Sequence, residues 1–68
     1  MTKNEIESEI LALKQLLTAS DYKTLKYSEG LISETEYTEI RAYRENLRLQ
    51  INQLENELSK LLESELSI

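Results

Sequence analysis

A chain of 68 residues forms one domain at most, residues 1–68, at a size where a single hydrophobic core barely suffices. It has neither cysteine nor histidine, which excludes a disulfide framework and the usual zinc-ligand spacings. A net charge of −5 argues against nucleic acid as a partner, because a phosphate backbone would repel the molecule. No apolar run approaches the roughly 20 residues needed to cross a bilayer, and the N-terminus carries no signal-peptide core. The expected compartment is therefore the cytoplasm, with no membrane contact. Proline and valine are absent, Gly30 is the sole glycine, and Leu, Glu, Ile and Lys are abundant, so the expected fold class is all-α.

The first helix is expected over about 3–18. Thr2-Lys3-Asn4-Glu5 forms a capping box, and Glu5, Glu7 and Glu9 suit the positive end of the helix dipole. Ile6, Ile10, Leu13 and Leu17 step by four, three and four, which is one helical stripe. Thr18-Ala19-Ser20-Asp21 then brings three capping-type residues together, which predicts a break and a short second helix over about 21–29. Gly30 is placed to end that helix in the left-handed conformation. A third, long helix over about 33–64 opens with the capping box Ser33-Glu34-Thr35-Glu36, with Ile32 and Tyr37 at the positions of a hydrophobic staple. Its residues Tyr37, Ile40, Arg44, Leu47, Ile51, Leu54, Leu58 and Leu61 alternate steps of three and four, a heptad seam with one arginine inside it.

The two stripes match when one is read backwards: Ile6, Ile10, Leu13 and Leu17 face Leu58, Leu54, Ile51 and Leu47. The same register sets Leu25 near Ile40 and Tyr27 near Tyr37, with residues 30–32 as the turn. This predicts an antiparallel, coiled-coil-like helical hairpin. Leu16, Leu61, Leu62, Leu66 and Ile68 lie beside the seam or beyond the reach of the first helix. A second copy would cover them, so a homo-oligomer, dimeric or larger, is expected.

Without His or Cys, and with one glycine, the chain lacks the residues for most acid–base or nucleophilic chemistry and for a phosphate loop. The carboxylate pairs Glu5/Glu9 and Glu55/Glu57 fall on outward faces, and the seams carry no inward-facing acids for a dimetal centre. The expectation is no enzyme, no metal and no cofactor. One region differs in composition. Between Tyr22 and Arg48 lie Tyr22, Tyr27, Tyr37 and Tyr43 together with Lys23, Lys26, Arg41, Arg44 and Arg48. Arginine forks beside tyrosine rings suit an acidic protein surface or a small anionic ligand, so these nine residues form the candidate binding face. The structural alternative is that Asp21 or Ser20 pairs with Arg44, that Arg41 pairs with Glu45, and that Arg48 pairs with Glu45 or Glu55.

Asp21-Tyr22-Lys23, Lys26, Glu29-Gly30, Ser33, Tyr37, Arg44, Arg48, Ile51-Asn52 and Leu54-Glu55 resemble segments of small tail-associated or accessory proteins of phages and prophages. The resemblance spans about residues 21–55. It implies a viral or prophage origin, action in the host cytoplasm, a helical hairpin and no catalytic site. Small proteins of this kind are assembly accessories, or inhibitors that bind host machinery or sequester nucleotide messengers. The resulting expectation is a stoichiometric protein-binding module, with a binder of a small anionic ligand such as a nucleotide messenger as the alternative.

Overall fold

The computed structural model describes residues 1–66, the side chains of the last two excepted; Ile68 and the side chain of Leu66 lie outside it. Two helices, α1 (Lys3–Ser28) and α2 (Glu34–Leu66), pack as an antiparallel hairpin measuring 54 × 16 × 15 Å.

Both helix starts are capped as their sequences demand. The Glu5 backbone N–H donates to Thr2 Oγ1 at 3.2 Å, and the Glu36 N–H donates to Ser33 Oγ at 3.2 Å. The end of α1 is closed by Gly30 at φ +78°: the Gly30 N–H reaches the Tyr27 carbonyl at 3.0 Å and the Leu31 N–H reaches the Lys26 carbonyl at 2.8 Å. These two bonds are the Schellman pair, which satisfies carbonyls the helix would otherwise leave open. Residues 29–33 then turn the chain back.

The expected short second helix does not exist as a separate element. α1 runs unbroken through Thr18-Ala19-Ser20-Asp21, so the hairpin has two helices and not three. Capping-type residues end a helix only when their side chains compete for backbone groups at a terminus. Here Ser20 Oγ–H bonds back to the Leu17 carbonyl at 2.6 Å, and the Asp21 carboxylate accepts from Arg44. No proline or glycine in the segment removes a backbone bond. The seam of α1 therefore continues at heptad spacing as Ser20, Thr24 and Tyr27. Thr24, half-buried, holds the place expected for Leu25, which is exposed.

The core lies toward the open end of the hairpin. Ile6, Ile10, Leu13, Leu47 and Ile51 are buried, and Leu17, Leu54, Leu58 and Leu61 pack around them. Leu61, expected to be uncovered, thus belongs to this seam. The half nearer the turn is held differently. Tyr27 and Tyr37 stack with centroids 4.2 Å apart and planes 3° from parallel, and Tyr37 Oη donates to Thr24 Oγ1 at 3.0 Å.

Two substitutions test this account. Leu47→Ala removes a side chain that is 4% exposed and should cost about 2–5 kcal/mol, whereas Leu49→Ala at 63% exposure should change stability by less than about 0.5 kcal/mol. Urea titrations of the two variants read both values. At Gly30 a Cβ would meet nothing within 4 Å, so Gly30→Ala should lose only the backbone preference, about 1 kcal/mol. A thermal melt followed by circular dichroism checks it, with helicity below the transition expected to be unchanged.

Candidate functional site

The nine residues of the basic and aromatic region divide among four places. Their separation follows from heptad geometry: a residue one step after a seam position lies on one flank, and a residue one step before the next seam position lies on the other.

Arg44 is in the seam itself. Its side chain is 11% exposed, and Nη1 donates to the Leu17 carbonyl at 3.1 Å, to Ser20 Oγ, and to Asp21 Oδ1 at 2.8 Å. Ser20 is itself buried. A guanidinium inside a helical pair requires acceptors for its protons, and this stretch of α1 supplies three. Arg44 is thus committed to holding the helices together. Tyr37 and Tyr27 are likewise seam residues, joined by their stack.

Arg41 and Arg48 follow Ile40 and Leu47 and occupy one flank of α2. The Arg41 guanidinium carbon lies 5.1 Å from the centroid of the Tyr37 ring, which steadies it without using its donors. Among the described residues neither arginine forms an ion pair; Arg44–Asp21 is the one pair present there. The possible partners Glu45 and Glu55 are not engaged by them. Lys14 and Asp21 share this flank from α1, following Leu13 and Ser20.

Lys23 and Tyr43 belong to the opposite flank. They help line a groove of about 430 Å³ between the helices, with Leu16, Ala19, Ser20, Glu39 and Ile40. Leu16 and Tyr43 are 48% and 47% exposed, so the groove has an apolar, solvent-facing wall. Tyr22 lies on the outer face of α1, and Lys26, half-buried on the same flank as Lys23, has its Nζ 4.6 Å from the centroid of the Tyr22 ring. The single face imagined from the sequence is therefore two separate edges divided by the seam. The groove has no hydrophobic signature in the sequence, because the α1 seam beyond Leu17 runs through the polar Ser20 and Thr24. The steps of three and four through Ser20, Thr24 and Tyr27 are the signal that fixes which residues flank it.

Among the described residues, no group of three or more carboxylates is placed to hold a metal ion, and no helix is long and apolar enough to cross a membrane. No buried side-chain nitrogen or oxygen there lacks a hydrogen-bond partner, so the interior presents no polar atom awaiting a ligand. Comparisons with protein-family models, curated proteins and solved structures give no match.

The roles of Arg44 and Asp21 can be separated by a mutant cycle. Arg44→Ala should cost about 2–4 kcal/mol, since it empties a seam position and strands acceptors. Asp21→Ala should cost below about 1 kcal/mol, because Asp21 is 61% exposed. Chemical denaturation of the two single variants and the double variant gives the coupling between them, expected at or below about 1 kcal/mol.

Proposed function

We propose that this chain is a non-enzymatic interaction protein of phage type that binds another protein stoichiometrically through the edge carrying Arg41 and Arg48. One observation supports this reading above the others. In a chain with 13 acidic residues, two arginines two helical turns apart stand on one edge without an ion pair among the described residues. One of them is already steadied against a buried tyrosine ring. Guanidinium forks left without an ion pair favour a partner bearing carboxylates at matching spacing, and the steadying of Arg41 lowers the ordering cost of binding. Lys14 adds positive charge to the same edge.

The small-anion reading draws less support from this arrangement. It needs the basic residues to converge, whereas Arg44 is turned into the seam and Lys23 stands across it.

Arg48→Ala should leave stability within about 0.5 kcal/mol, and Arg41→Ala should lose about 0.5–1 kcal/mol with its ring contact. Affinity capture from host lysate should recover a partner with the parent chain, lose it with either variant, and weaken with added salt. Capture indifferent to both substitutions would remove this edge. A thermal shift with nucleotides would instead favour the small-anion reading, since a ligand at 100 times its Kd adds about 2.7 kcal/mol.

A further inference from the structure

The flank opposite Arg41 and Arg48 carries a second stripe on α1, separate from the seam. Glu5, Glu9, Ala12, Leu16, Ala19, Lys23 and Lys26 step by four and three along one face. All are exposed except Lys26, which is half-buried beside Tyr22. Read as chemistry, the stripe is acid, acid, small, leucine, small, base, base. It is antisymmetric in charge and symmetric in size about Leu16.

We propose that this stripe is the contact for a second copy of the chain, with the two α1 helices antiparallel and a two-fold axis at Leu16. That operation sets Leu16 against Leu16 of the second copy and Ala12 against its Ala19. It sets Glu9 against its Lys23, and Glu5 against its Lys26. A two-fold interface must be self-complementary, and each of these positions meets its complement. The alanines let the helix backbones approach closely, and the apolar wall of the groove, formed by Ile40 and Tyr43, continues the contact onto α2. The paired charges, exposed except for half-buried Lys26, contribute mainly orientation, while Leu16 and the groove supply the apolar area.

Charge selects this geometry over its rivals. Parallel α1 helices would place Glu5 and Glu9 beside their own copies, and Lys23 and Lys26 likewise. The other flank of α1, centred on Thr18, pairs Lys14 with Asp21 and Leu11 with Leu25, one kind of opposite-charge contact where the Leu16 stripe has two. The inference is independent of the partner-binding edge, which lies across the seam and remains open in the dimer. Each dimer would then present two such edges.

The test is a charge-swap experiment on the full chain, read by sedimentation equilibrium and native mass spectrometry at low salt. Glu9→Lys and Lys23→Glu each create two like-charge contacts per dimer and should raise the dimer Kd about tenfold or more. Both sites are exposed, so helicity should be retained. Mixing the two variants restores both opposite-charge pairs, and the mixture should form the heterodimer in preference to either homodimer. Leu16→Glu should give a folded monomer. The proposal is overturned by a parent chain that stays monomeric at hundreds of micromolar. It is equally overturned by a Leu16→Glu variant that dimerises like the parent, or by a mixture showing no heterodimer preference.

Discussion

A guanidinium largely withdrawn from solvent must be surrounded by acceptors, and Arg44, its side chain 11% exposed, meets that requirement against one stretch of α1. The Leu17 carbonyl, Ser20 Oγ and Asp21 Oδ1 lie within one helical turn of each other, and Nη1 reaches all three. Moving α1 by a turn so that Leu17 replaces Ser20 would take the hydroxyl and carboxylate acceptors away and leave the charge unpaired, a cost of several kcal/mol. The opposite shift would offer the Thr24 hydroxyl but no carboxylate. Polar residues within heptad seams are known for setting register in this way, at some expense in stability. The short turn of residues 29–33, closed by Gly30, then has little freedom left to misalign the helices.

Around that layer the hairpin divides into halves of different character. Toward the open end, isoleucine and leucine interlock, and the contact is non-directional. Toward the turn, the seam is built from the Tyr27–Tyr37 stack, the Tyr37–Thr24 hydrogen bond and the Arg44 layer, each with a preferred geometry. A two-helix hairpin buries only this one seam. Both flanks of it therefore remain surface and differ in chemistry: arginines without ion partners among the described residues on one, an apolar groove on the other. The polar half of the seam fixes how those two flanks are oriented about it.

The hairpin, its register and both caps could be read in the sequence because each rests on a local rule. Leu and Ile stripes match in reverse, Thr2 and Ser33 head capping boxes, and Gly30 stands where a left-handed residue is needed. The continuity of α1 could not be read by the same rules. Ser20 and Asp21 have strong local preferences for helix ends, and only the arrival of Arg44 from α2 gives them another use. Polar seam residues are invisible to a hydrophobic pattern, so the apolar stripe ends at Leu17 and the pattern points to Leu25 where Thr24 holds the seam. Without those two seam positions, the opposite flanks read as one basic face. Once Ser20 and Thr24 are recognised as seam positions, Lys23 and Arg41 fall on opposite sides.

The central claim is that residues 18–21 belong to one continuous helix, closed from across the seam by Arg44. Residue-resolved amide hydrogen exchange tests it most directly, since backbone protection reports helical bonds one at a time. The account predicts unbroken protection along α1 from Ile10 to Tyr27, with the amides of Thr18, Ala19, Ser20 and Asp21 no faster than those of Ile10 and Leu13. Free-chain exchange at those four amides, flanked by protected segments on either side, would contradict it and restore a break between two helices.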